Sequence, residues 1–250
     1  IFISGPLLEY EHYNSLINIF SEISFEDTPF KIGATFISLK CYLNLRYWLK
    51  NDRIYILDSL VSLTFIPSLP AGPIHACNVW NKRKIASNVT NLRIISAKKI
   101  LIALSRIIWG IGSLAVISKY ISSYIPLEPD TSFSYIYGSY IRFIALYYDF
   151  SGYSSIAIGS AMLYGVALPE NFNKPFLATS IQEYWQRWHM SMSGFIGTYI
   201  YKPYVRTFNQ RRVGIFLAFI FAGLWHEISL PFVVWGIGHG LSMAYFPKIN

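Results

Sequence analysis

Charge is scarce in this chain. Only 14% of its 250 residues are Asp, Glu, Lys or Arg while 53% are hydrophobic, against about 25% charged in an ordinary soluble domain. That shortfall excludes an ordinary water-clothed globule and makes an integral membrane protein the default. Cysteine is rarer still: Cys41 and Cys77 lie in or beside apolar segments, which excludes a disulfide framework and any metal or redox spacing. Neither HExxH nor paired cysteines occur, so a zinc site from His189, His226 and His239 has no motif behind it and no metal is expected. A nucleophile elbow is missing too. The four-residue similarity of residues 4–7 to 71–74 is too short to count as a repeat, and the inverted repeats of many transporters are not visible. No charged n-region or cleavage site opens the chain, so no signal peptide is read, and the chain reads as a piece of a longer protein.

What is present is apolar sequence in helix-sized lengths. Residues 150–169 hold no charged side chain and residues 228–247 hold only His239 among titratable bases; a helix of about 20 residues crosses the roughly 30 Å hydrocarbon layer. Residues 188–201 and 213–226 are shorter uncharged runs, suited to half-spanning, re-entrant or interior helices. Residues 31–49 and 54–74 are candidate membrane helices, the second stopped by Pro67, Pro70 and Pro73. Residues 100–121 are long enough to cross with some tilt, and Arg106 inside them is expected in an interior salt bridge. Helices are expected at 133–148 and 154–168, with Asp149 between them either capping the second or serving as a functional intramembrane carboxylate.

The net charge of +8 gathers at Lys82, Arg83, Lys84, Arg93, Lys98 and Lys99 and again at Arg206, Arg211 and Arg212. Both clusters flank apolar runs, which fits cytoplasmic loops of a multi-pass protein and not a nucleic-acid partner. Residues 1–30, holding five of the thirteen acidic groups, read as an interfacial or peripheral segment of unassigned role. The expected fold class is all-α and polytopic.

Few polar groups interrupt this scaffold. Ser180 and Glu183 make the S-x-x-E signature of a helix start, and Ile181, Tyr184, Trp185, Trp188 and His189 then recur on one face. Gln182, Glu183, Gln186 and Arg187 take the other, with Glu183 and Arg187 at ion-pair spacing. His226 closes the run 213–225, and Ser229 with Pro231 starts a further helix to about Tyr245, which puts His226 at a junction. From residue types alone, His189, His226 and His239 read first as satisfied core groups, and His12 and His75 have no special role. Tyr184, Trp185 and Trp188 read first as a packing or interfacial stripe and second as a tunnel lining.

Five motifs stand in order: SLPAGPI (68–74), YYDFSGYS (147–154), LPENFNKP (168–175), IQEYWQRWHMSMS (181–193), and Trp225-His226 followed by Trp235-Gly236 and His239-Gly240. Together they resemble the membrane-bound O-acyltransferase family, in its bacterial alginate O-acetylation and D-alanyl transfer branch, over residues 31–250. The resemblance implies a transmembrane acyltransferase domain, incomplete at both ends. Its helices would surround a central funnel or tunnel, multi-pass in the cytoplasmic membrane among its lipids. It also implies transfer of an acyl group, acetyl first, from a cytoplasmic thioester donor to a hydroxyl of an extracytoplasmic polysaccharide. The donor, acetyl-CoA or an acyl-carrier protein, is a co-substrate, and no bound cofactor is expected. A periplasmic transferase is a further implied partner. The family's critical histidine falls on His226 and its second on His189; Asp149, Trp185, Trp188 and Glu227 are candidate substrate-binding residues. Glu227 departs from the Trp-His-Gly common in that branch.

Thioester-to-alcohol transfer needs a base for the hydroxyl proton and polar hydrogens for the developing oxyanion. An imidazole of ordinary pKa about 6.5 suits the first, so His226 is expected as general base and His189 as an orienting group. Direct transfer with both substrates bound is preferred to a covalent intermediate, because neither cysteine adjoins a histidine in sequence. Two readings stay open beside it: D-alanyl transfer from a carrier-protein thioester toward teichoic acid, and a non-catalytic transporter or scaffold feeding a separate transferase.

Overall fold

A computed structural model describes residues 28–80, 96–126 and 131–246. The expectations for residues 1–27 and for the basic residues Lys82, Arg83, Lys84 and Arg93 lie outside them. The described residues are helical, without a strand, and fall into two compact units, 28–119 with 146–170 and 120–145 with 171–246. Among them, Ala97–Ser122 is the one helix long and apolar enough to cross a membrane by length and composition.

In the unit of residues 28–119 and 146–170, the helix Thr28–Asn51 is followed by a nine-residue helix, Ile56–Thr64, and a 3-10 turn, Ile66–Ser68. The expected membrane helix over 54–74 is therefore corrected: Pro67 has no N–H to give, so the helix stops early and the rest is irregular. Two side chains one turn apart hold that irregular stretch. Lys40, fully buried, donates to the Ser68 carbonyl at 3.0 Å and its hydroxyl at 2.7 Å. The Asn44 side-chain oxygen accepts the Cys77 N–H at 2.6 Å. SLPAGPI turns back on itself so sharply that a Cβ on Gly72 would lie 2.4 Å from the Ser68 Cα. His75 bonds the Pro73 carbonyl through Nδ1 at 2.8 Å and accepts the Trp80 indole N–H at 3.3 Å. Both ring nitrogens are satisfied, as in a core histidine.

The helix Ala97–Ser122, whose middle widens to π geometry at Ser113–Ser118, runs antiparallel to the second half of Ser132–Leu163. The Ser113 hydroxyl donates to the Tyr148 carbonyl at 2.8 Å, and a Cβ on Gly110 would come within 2.6 Å of the Gly152 carbonyl. Small residues let the two backbones approach this closely. Here the sequence reading is corrected: residues 132–163 form one continuous 32-residue helix, and Asp149 sits mid-helix and exposed, not at a cap. Asp149-Phe150-Ser151-Gly152 looks like a helix start, but its glycine serves helix contact. Farther along, Arg106 grips Glu170 with both guanidinium nitrogens, one bond at 2.6 Å. The expected salt bridge exists, though both side chains are partly exposed at 28% and 46%. Trp80, Ile158, Ala161, Val166 and Leu168 form the unit's apolar core.

In the unit of residues 120–145 and 171–246, the helices Arg211–His226 and Leu230–Tyr245 form a tight antiparallel hairpin. A Cβ on Gly223 would meet the Phe232 carbonyl at 2.3 Å and one on Gly236 the Phe219 carbonyl at 2.7 Å, so the backbones themselves touch. Residues 190–208 are helical throughout, as Met190–Ile196, a π turn Gly197–Tyr201 and Lys202–Phe208. Lys202 and Pro203 thus open a helical segment. The wide turn lies just where Pro203 cannot continue the ordinary bonding. Arg206, Arg211 and Arg212 flank the left-handed turn at Asn209.

Candidate active site

The Ser180 helix is seven residues long, Ile181–Arg187. The Ser180 hydroxyl accepts the Glu183 N–H at 3.1 Å, as its signature requires. The Glu183 carboxylate reaches one residue further back than expected, to the N–H and hydroxyl of Thr179 at 2.7 and 2.8 Å, and pairs with Arg187 at 2.6 Å. The Thr179 N–H first, then its hydroxyl and Arg187, hold the Glu183 carboxyl down to about 2. Gln182 donates its amide to the carbonyls of Met243 and Phe246, which satisfies orphan acceptors at the end of the hairpin's second helix. The short helix is thereby fastened across the hairpin.

His189 is not the last member of the aromatic stripe, and this is the main correction to the sequence reading. The helix stops at Arg187, Trp188 is extended at φ −106°, and His189 is left-handed at φ +43° before Met190 begins the next helix. The stripe's own periodicity favours continuation; instead residues of LPENFNKP bond the backbone on both sides of the break. Asn171 accepts the Met190 N–H on its carbonyl at 2.9 Å and the Ser191 hydroxyl on its side-chain oxygen at 2.6 Å. On the near side of the break, the Asn173 N–H donates to the Arg187 carbonyl at 2.9 Å. Ser193 donates to the carbonyls of Trp185 and Trp188. Two motifs separate in sequence thus build one broken helix.

The break sets His189, buried, with its ring 6.3 Å from that of Trp225. Trp225 in turn meets the neighbouring His226 ring at 4.9 Å, so the two imidazoles share one indole. His226 is the last residue of its helix and lies at the junction foreseen for it; Glu227 follows in extended backbone. Phe232 stacks on its ring at 5.6 Å and Trp235 stands edge-on at 6.0 Å. Both His226 and Glu227 are exposed. Ser229 occupies the next helix's N-cap position without making a cap bond.

Trp185 packs on Phe219 at 5.1 Å, Trp235 at 5.7 Å and His239 at 5.2 Å. Trp188 is buried in a separate stack with Phe143, Phe172 and Tyr184. The structure therefore brings His189 to Trp225 and His226, with Glu227 next in the chain, at the hairpin end, sets Trp185 farther along the hairpin against Phe219 and His239, and places Asp149 in the other unit. Asn171, Trp225, Phe232 and Trp235 were not singled out as site-building residues by sequence reasoning. Asn171 carries no periodic signal, and only its membership of LPENFNKP marked it. Among the described residues, no group of three or more His, Cys, Asp or Glu lies close enough to hold a metal ion.

The chain matches the model of the membrane-bound O-acyltransferase family over residues 63–246, and it belongs to that family. A peptidoglycan O-acetyltransferase of Helicobacter pylori is 31% identical over 76% of this chain and 37% of its own length. A teichoic acid D-alanyltransferase of Bacillus subtilis is 26% identical over 86% of this chain and 58% of its own. A Pseudomonas putida relative named alginate O-acetylase AlgI is 31% identical over 76% and 39%. The chain spans between 37% and 58% of the length of these relatives.

Proposed function

We propose that this chain carries the histidine centre of a multi-pass membrane O-acyltransferase. It would move an acyl group, acetyl first, from a thioester donor to a hydroxyl of a cell-envelope polysaccharide. The observation that supports this most directly is an exposed His226, held at a helix end by Phe232 and Trp235 and sharing Trp225 with the buried His189. An exposed imidazole with its ring fixed on two sides is what a group must be to meet an incoming hydroxyl.

In this reading the His226 imidazole takes the hydroxyl proton as the oxygen attacks the thioester carbonyl. The C–O bond forms, the carbonyl electrons move to oxygen, and polar hydrogens of the site stabilise that charge. Collapse breaks the C–S bond, and the thiolate recovers the proton from the imidazolium. His189 orients the reacting groups through the shared indole wall, and Glu227 lies where it can meet the acceptor. Trp185 supports the wall on the hairpin side, and Trp188 acts by packing. A thioester donor, free or on a carrier protein, is the only co-substrate this scheme needs.

D-alanyl transfer stays beside acetyl transfer because the Bacillus subtilis relative matches the larger share of this chain. Mass analysis of envelope glycans from cells with and without the protein separates the readings. Added acetyl on a polysaccharide supports the first, added D-alanine supports the second, and no change in any acyl ester would contradict both.

A further inference from the structure

We propose that Asn171 is a positioning residue for His189: its carbonyl and side-chain oxygen, bonded to Met190 and Ser191, impose the left-handed turn that takes the imidazole off the aromatic stripe and sets it beside Trp225. The inference rests on the reading of His189 as part of the acyl-transfer site. A non-glycine residue in left-handed backbone is strained and persists only where its surroundings over-determine it. Here they do so from both sides. Beyond the turn, Asn171 accepts the Met190 N–H at 2.9 Å, the Ser191 hydroxyl at 2.6 Å and the Ser191 N–H at 3.4 Å. Before it, Asn173 donates to Arg187 at 2.9 Å, and Arg187 returns to the carbonyls of Asn173 and Lys174.

Asn171 is fully buried, so bulk water does not stand ready to replace the bonds it makes. The apolar periodicity of residues 181–189 favours an uninterrupted helix, and that helix is the state the asparagine excludes. Removing its side chain shifts the balance back toward the stripe, and the imidazole leaves Trp225. Asn171 itself touches no reacting atom; it acts through the backbone that carries His189.

The test uses the full chain in detergent as wild type, Asn171→Ala and Ser191→Ala. Diethyl pyrocarbonate modification of His189 is read by peptide mass spectrometry relative to His239 in the same molecule, beside steady-state acyl transfer. The expected result is a His189-to-His239 rate ratio that rises at least about threefold in Asn171→Ala and less in Ser191→Ala. The kcat should fall by about tenfold to a hundredfold with KM within about threefold, as misplacement of a site group produces. An unchanged ratio, or equal acceleration of both histidines, would overturn the proposal. If Asn171→Ala does not accumulate, Ser191→Ala decides alone, since it removes the hydroxyl bonded to the Asn171 side chain and leaves Asn171 itself in place; an unchanged ratio there overturns the proposal. Wild-type transfer by His189→Ala would instead remove the catalytic reading of His189, while the ratio still judges the turn.

Discussion

Adding one methyl group at Gly236 should loosen the candidate site without touching a histidine. A Cβ built there lies 2.7 Å from the Phe219 carbonyl oxygen, 3.0 Å from the Ile220 Cα and 3.1 Å from the Phe219 carbonyl carbon. All three are backbone atoms, so no rotamer relieves the clash, and the hairpin helices must part by several tenths of an ångström. Overpacking of this kind costs about 1–3 kcal/mol. The neighbouring Trp235 and His239 would shift against Trp185 and Phe219, whose rings they meet at 5.2 to 6.3 Å. Gly236→Ala is therefore expected to lower the melting temperature in detergent by several degrees, at about 2–4 °C per kcal/mol for a chain of this size, and to lower acyl transfer with it. Gly194→Ala is the control. Nothing lies within 4 Å of its Cβ, and in a helix the exchange stabilises by about 0.5–1 kcal/mol. Equal stability of Gly236→Ala and wild type, or equal damage from the two substitutions, would refute the close-contact reasoning.

Lys40→Ala should destabilise more than Lys40→Met, by at least about 2 kcal/mol in thermal or denaturant unfolding, because both variants lose the ammonium's two bonds to Ser68 but only methionine keeps the buried volume. For Glu183 the folded pKa, about 2, lies below the ordinary 4.5. Its ionised form thus contributes stability that is full above about pH 4.5 and lost as pH falls through about 2. The stability difference between wild type and Glu183→Gln, followed by melting in detergent, should be constant above pH 4.5 and fade toward pH 2.

How far the sequence disclosed this structure depends on the distance over which each feature is decided. The Ser180 start, the Glu183–Arg187 pair and the helix from Leu230 with Pro231 in its first turn were legible, because a residue and its neighbours within four positions decide them. His226 at a helix junction was legible for the same reason. The left-handed turn at His189 was not, because Asn171, 18 residues upstream, supplies the bonds that overrule local periodicity. Nor was the continuity of Ser132–Leu163. Gly152 looks like a breaker in one dimension and becomes a point of close approach to Gly110 in three. Lys40 and Arg106 looked like interruptions of apolar runs; their partners, Ser68 and Glu170, lie 28 and 64 residues away. In each case the polar residue that looked misplaced locally was paired with a motif elsewhere in the chain.

The claim that His226 is the base of an acyl transfer is tested most directly by His226→Ala, with transfer from a labelled thioester to envelope polysaccharide measured in membranes at matched protein level. Loss of a general base predicts a fall of at least about a hundredfold in turnover, with the protein still folded. Transfer at the wild-type rate by an intact His226→Ala protein would contradict the account.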